Sequence, residues 1–427
     1  MKTKQILCIP VFVVFIISIV FTGCEDRILE KYTINEPVYM SYDELRSAVQ
    51  NVEATELKSP GKIYFKDNYL FINEYFKGIH IIDNSDPSAP VNISFIEIPG
   101  NVDIAIKDNI LYADSYVDLV SLDISDLSNI YEVNRIENIF PYTLPTYDNE
   151  YLISNVDANL GVVASWNIKE ITEEIKNDNP FRYPFYAKFS NMEFAVDFSG
   201  SGSQSSTGTG GSMARFTIYD FVLYAINNNR IVIFDISTLT EPTSVGDEYI
   251  SWNIETLFPY KDKLFIGSQN GMLIYDLVNP LSPTKISSIS HVTSCDPVVV
   301  EGDYAYVTLR SGNACGGFTD QLDVIDISIL SSPQLLRSYT MTEPYGLGID
   351  NSILFICDGK AGLKIYDASD PFTITDNLIV SFPEINTFDV IPYDDVLMMI
   401  GLDGLYQYDY QDINNIELLS VIQVIKE

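Results

Sequence analysis

With two histidines, five cysteines and a scattering of arginines on an acidic body, this chain has few options for chemistry. His80 and His291 are too few for a histidine-rich metal centre or a histidine-activated nucleophile. Cys-x-x-Cys and paired-His spacings are absent, as are a Gly-x-Ser-x-Gly elbow, a phosphate-binding glycine loop and a His-Glu-x-x-His helix. Acidic pairs such as Asp394-Asp395 and Glu173-Glu174 could cleave a glycoside if set ~5–9 Å apart across a sugar. Nearly all acidic pairs, however, fall where tight turns are expected. The stretches Asp83-Asn84-Ser85-Asp86 and Asp367-Ala368-Ser369-Asp370 look superficially like calcium loops, but lack the sixth-position Gly and twelfth-position Glu that such loops need. No catalytic residue, metal ligand or cofactor is therefore assigned. Lys+Arg total 25 against Asp+Glu 59, a net charge of -34 that repels phosphate and argues against nucleic acid as a partner. Aromatic residues make up 12% of the chain, too many for a disordered one.

The N-terminus reads as an address. Lys2 and Lys4 precede the apolar run Ile6–Phe21, which is short of the ~20 residues needed to span a bilayer. The following Phe21-Thr22-Gly23-Cys24 resembles a lipoprotein lipobox, with Phe21 where an aliphatic residue is usual. That resemblance implies a cleaved signal peptide over 1–23, lipidation (palmitate among the acyl groups) at Cys24, and attachment to a membrane of the cell envelope. The outer membrane is favoured, with the body periplasmic or surface-exposed. Residues 24–61 then form a tether carrying one short helix. Tyr42–Gln50 is the candidate, with Ser41 and Glu44 spaced as a capping box.

Positioning of the remaining residues depends on an internal repeat. β-rich runs end in Asp83, Asp123, Asp235, Asp276, Asp326, Asp367 and Asp409, and seven positions after each comes Pro or Ile. The intervals are about 40 residues, except for a long gap after Asp123 in which Val162–Trp166 marks a degraded copy. Upstream of each Asp lies a second turn signal, such as Asp67-Asn68 or Asp394-Asp395, with apolar strands on both sides. Each unit is therefore strand A, tight turn, strand B, loop, strand C, Asp turn, strand D. The fold class expected over 62–427 is all-β, a β-propeller of four-stranded blades. Eight units start near Lys62, Asp103, Tyr142, Phe216, Phe258, Pro297, Gly346 and Asp389, with seven blades as the alternative.

In such a fold the B-to-C and D-to-A connections share one face. Both long insertions fall there: Asn179–Met213, whose Ser/Gly-rich part at 199–212 reads as a mobile, solvated loop, and Ser311–Asp320. Cys295 and Cys315 lie in two connections of one blade on that face, within reach of a disulfide. Cys357, in a strand B, reads as a buried hydrophobe. Candidate binding-face residues are Met213, Arg215, His291, Asp296, Arg310 and Asn313. Arg215 stands out as a scarce cation at a channel-lining strand start, suited either to an anion or to a structural ion pair.

The strings GIHIID, LVSLDIS, IVIFDIS and VIDIS, each in the same place within its unit, resemble the LVIVD repeat. Pro37–Val49, Gly211–Phe216 and Ser294–Pro297 strengthen the resemblance to LVIVD-repeat lipoproteins of Bacteroidetes-type bacteria. The resemblance implies a propeller and a lipid-anchored location, and no activity. The expected function is that of a non-enzymatic, monomeric binding or scaffold protein, gripping a partner protein or glycan with the insertion-bearing face. The rival is a hydrolase or lyase acting on extracellular polysaccharide.

Overall fold

The computed structural model describes residues 28–175, 208–250, 254–290, 297–311 and 319–425. They divide into two units. Among the described residues the larger contains seven antiparallel sheets, each built on four strands, spanning 60–97, 104–136, 216–249, 254–290, 298–340, 347–382 and 387–423; the first carries one further strand on each edge. The four strands of each neighbour one another in chain order, so each set is one blade of a propeller.

The recurring aspartates occupy equivalent corners. In every blade the Asp Oδ1 accepts the backbone N–H two residues on, from Ser85, Ser125, Ser237, Val278, Ser328, Ser369 and Gln411 in turn. The N–H of the residue right after each Asp donates to a carbonyl in the A-to-B turn of the same blade, as in Asn84 to Asn68 (2.7 Å) and Tyr410 to Asp395 (2.9 Å). Those A-to-B turns need a positive φ, supplied by Asp67, Asp108, Asp220, Lys261, Gly302, Asn351 and Asp394. The two calcium-like stretches are such corners, their carboxylates satisfied by turn N–H groups.

Apolar clusters lie between blades rather than within them. Successive strands A neighbour each other, and those of blades 7 and 1 meet around Ile63, Ile72, Ile391 and Met398, which closes the ring. All four strands of blade 7 come from the C-terminal end of the described chain. Gln50–Glu53 adds to the outer edge of blade 1, and the Leu57 carbonyl reaches the last blade's chain, accepting the Ile425 N–H at 2.8 Å. The helix α1 (Tyr42–Ser47) carries the expected capping box between Ser41 and Glu44.

The third sequence unit, near Tyr142, is no blade of this ring; its strands belong to the three-stranded sheet of the smaller unit. There Ile28–Met40, within the stretch read as a tether, runs between Leu152–Ile153, parallel to it, and Val162–Ile175. The buried Asn35 amide donates to the Asp148 and Tyr151 carbonyls (2.9 and 3.1 Å). The degraded copy thus pairs with a strand distant in sequence, and the seven-blade alternative describes the ring.

Candidate functional site

A stretch of the chain itself occupies the centre of the ring. Thr209–Gly210 pairs antiparallel with strand A of blade 1, Gly210 opposite Tyr64. The Gly208 N–H donates to the Ile106 carbonyl (3.0 Å) and its carbonyl accepts the Tyr64 hydroxyl (2.9 Å). Further along, Ser212 Oγ accepts the Leu347 N–H at 2.7 Å and the Ala214 carbonyl accepts the Leu257 N–H at 3.0 Å. Residues 208–216 therefore touch the inner strands of blades 1, 2, 4, 6 and 7 before leading into blade 3. The composition of Gly208–Ser212 reads as a mobile, solvated loop. In fact it is packed, because a narrow channel admits a backbone only where side chains are small. A Cβ on Gly211 would stand 1.7 Å from Asp389 Oδ2.

Three charged groups at strand A starts hold this plug. Lys62 Nζ lies 2.9 Å from Asp103 Oδ2 and 3.1 Å from the Met213 carbonyl, with both charged side chains buried. The same Asp103 oxygen accepts the N–H groups of Arg215 and Phe216, and Oδ1 accepts that of Ile104. Asp389 Oδ1 accepts both the N–H and the hydroxyl of Ser212 (3.2 and 3.1 Å). Burial drives the Asp389 carboxyl well above the usual carboxylate range. Sequence reasoning missed these as functional groups, although Lys62, Asp103 and Asp389 each head a repeat unit and the register was visible.

Beside the plug, on the face of the B-to-C and D-to-A connections, a cleft opens between blades 1, 2 and 3. Its floor and walls include Asp103, Asp114, Arg215, Phe76, Tyr116 and Phe140, with Phe216 packed on Phe140 at a centroid distance of 5.5 Å. Its interior volume is about 30 Å³. Asp114 Oδ1 accepts the N–H groups of Val102 (2.7 Å) and Asp103 (2.9 Å) and the Asn101 amide (2.9 Å). Burial nevertheless pushes its carboxyl up to about 6; the neighbouring Asp103 adds to the rise, while those N–H groups and Arg215 oppose it. Among the described residues the Arg215 guanidinium makes no hydrogen bond or ion pair. Of the two roles open to Arg215 in the sequence, the structural ion pair is the one not seen.

The other candidates separate. Met213 is 3% exposed, turned into the plug with its carbonyl on Lys62, so its side chain offers nothing to a ligand. Arg310 stacks over the Tyr345 ring, Cζ 4.0 Å from its centroid. His291, Asp296 and Asn313 lie outside the described residues, as do Cys24, Cys295 and Cys315. Cys357 is fully buried as a free thiol.

The LVIVD repeat model matches residues 61–95, 100–137, 219–247 and 294–341, that is, blades 1, 2, 3 and 5 with their entries. No curated protein matches the chain significantly. Among solved structures, the computationally designed Ika8 protein superposes with a TM-score of 0.50 at 11% identity, covering 88% of this chain and 92% of that one, which agrees with the propeller fold. Saccharomyces cerevisiae Sqt1 gives 0.47 at 6% identity (91% and 89% covered). A complex of KlAtg21 with the coiled coil of AgAtg16 gives 0.49 at 12% identity (87% and 100%).

Proposed function

We propose that this propeller is a non-enzymatic binding scaffold, held on the cell envelope through Cys24, that engages a partner protein or glycan with the face carrying its B-to-C and D-to-A connections. The observation that carries the reading is the cleft on that face with an unmatched guanidinium at its base. The described blades are committed to rigidity: the corners satisfy themselves, the blades pack pairwise and the chain itself threads the channel. Such a body presents a fixed surface and loses little entropy on binding.

The polysaccharide hydrolase or lyase reading needs acids free to exchange protons with a substrate. Asp103, the other acid lining the cleft, has both oxygens on protein donors, so Asp114 has no free acidic partner there, which weighs for binding.

The test is capture from envelope extract, with a glycan array in parallel, using the full chain and Arg215→Gln. A partner retained by the wild-type face and released by substitutions there is expected. Turnover of any polysaccharide that Arg215→Gln abolishes would overturn the reading. For the anchor, labelled palmitate is expected on the wild-type chain and lost in Cys24→Ala; a mutant that still labels ends that assignment.

A further inference from the structure

We infer that the Arg215 cleft is a socket for one carboxylate, the side chain of an Asp or Glu presented by a partner protein. This deepens the binding reading above and rests on it. The guanidinium has a planar fork of donors that matches a carboxylate bidentately, and among the described residues nothing in the protein takes them up.

Size and charge narrow the ligand. An interior of about 30 Å³ accommodates two or so waters, or the head of one small group, and no sugar ring. Phe76, Tyr116, Phe140 and Phe216 wall it with apolar surface, which strengthens an ion pair made inside by excluding water. Locally, Lys62 is matched by Asp103, which leaves Arg215 facing Asp114 at a distance too long for an ion pair. One monovalent carboxylate balances Arg215 once Asp114 is protonated. A divalent phosphate would set two charges against one guanidinium, with Asp114 adding a third negative group.

The body decides between a polymer of acids and a single acid on a protein. At a net charge of -34 the chain repels a polyuronate along its whole length. A protein with a basic surface is instead drawn in and can offer one carboxylate from within that surface.

Asp114 gives the socket a distinctive pH response. The groups that face it are Asp103, Arg215 and the phenols of Tyr75 and Tyr116, the phenols neutral throughout the useful range because burial raises both. A bound carboxylate disfavours ionised Asp114, so binding takes up a proton and tightens as pH falls through about 6.

The experiment is calorimetric titration of the full chain with two capped peptides, Lys-Gly-Glu-Gly-Lys and Lys-Gly-Gln-Gly-Lys, at pH 5.5 and 7.5. The Glu peptide is expected to bind about tenfold or more tighter than the Gln peptide, and about threefold or more tighter at the lower pH. Arg215→Gln should remove the Glu preference and Arg215→Lys should retain part of it, with thermal midpoints close to wild type. Asp114→Asn should keep the preference and flatten its pH dependence. Equal binding of the two peptides sinks the socket, as does stronger binding of inorganic phosphate or of an oligoglucuronate than of the Glu peptide. An envelope partner whose capture survives Arg215→Gln also sinks it while leaving the scaffold reading intact. Polysaccharide turnover, by contrast, ends the scaffold reading whatever the peptides do.

Discussion

The side-chain amides of Asn84 and Gln407, separated by 323 residues of chain, exchange hydrogen bonds in both directions: Asn84 Nδ2 to Gln407 Oε1 at 2.8 Å and Gln407 Nε2 to Asn84 Oδ1 at 2.7 Å. Both residues are buried. Gln407 lies on strand C of the last blade and Asn84 in the Asp corner of the first, so the pair sits on the seam where the ring closes. Gln407 Nε2 and Ser420 Oγ also donate to the Pro87 carbonyl (3.2 and 2.6 Å). Among the described residues no strand is shared across this seam, and these bonds, the Ile425 N–H to Leu57 carbonyl bond and the apolar cluster around Ile63 and Ile391 hold it.

Gln407→Ala is therefore expected to cost about 1–3 kcal/mol, the desolvation of an Asn84 amide left without its partner. Asn84→Ala should cost a similar amount, and the double variant clearly less than the sum, as expected for residues in direct contact. Denaturant titration of the three variants checks this. Strict additivity would show that the amides contribute independently and do not form the clasp.

Gly211 tests the plug. Adding one methyl in Gly211→Ala places it against Asp389 Oδ2, where neither the packed backbone nor the buried carboxyl has room to retreat. A loss of about 1–3 kcal/mol is expected from overpacking. Gly302→Asn is the control: φ is +60° there, nothing stands within 4 Å of the new Cβ, and Asp or Asn fills the same turn position in five other blades. It should stay within about 0.5 kcal/mol of wild type. Equal melting of the two variants would mean that the plug does not fill the channel in solution.

How far the sequence could be read followed from how local each feature is. An Asp corner is made by residues next to one another, and Asp83 through Asp409 could be placed in register by inspection. The blade count turned on Ile28–Met40, whose partners at 152–175 are more than 100 residues away; apolar periodicity at Val162–Trp166 looks the same whether its neighbour is a blade strand or a distant one. Glycine and serine in Gly208–Ser212 read as looseness, yet the same small residues are what a backbone threaded between seven strands requires. Arg215 was legible because cations are scarce. Asp114 was not, since only the fold brings the strand B end of blade 2 against the entry to blade 3.

Lys62 should be indispensable to the plug. Lys62→Met removes the cation from a buried pair and leaves the Asp103 carboxyl without its counter-charge, for which about 3–5 kcal/mol is expected. The Met213 carbonyl loses the same donor. Hydrogen exchange offers a local check, because the amides of Arg215 and Phe216 are protected through Asp103. They should exchange faster in the variant while strand C amides of blade 5 do not. Uniform acceleration across all blades would assign Lys62 to global stability alone.

Asp389 and the corner aspartates pull stability in opposite directions with pH. Turn N–H and hydroxyl donors hold Asp83, Asp123, Asp235, Asp326 and Asp367 below the ordinary carboxylate range. Glu74 lies near 2, its burial outweighed by donors from His80, Ser59, Lys58 and Lys77. What these groups contribute is present above the unfolded carboxylate pKa of ~4 and lost as pH falls below it. Asp389 is raised in the fold. Its contribution is complete below ~4 and declines as pH rises from there toward its folded-state value, because only the unfolded chain releases the proton. Asp114, raised to about 6, acts the same way over a narrower window. Stability should therefore peak at mildly acidic pH and fall toward pH 8. In Asp389→Asn, which retains an acceptor for Ser212, the descent above pH 5 should be visibly shallower while the acid limb is unchanged. Thermal midpoints measured from pH 3 to 8 decide it: parallel curves for the two proteins would mean that Asp389 is ionised in the fold and that the channel is wetter than its packing indicates.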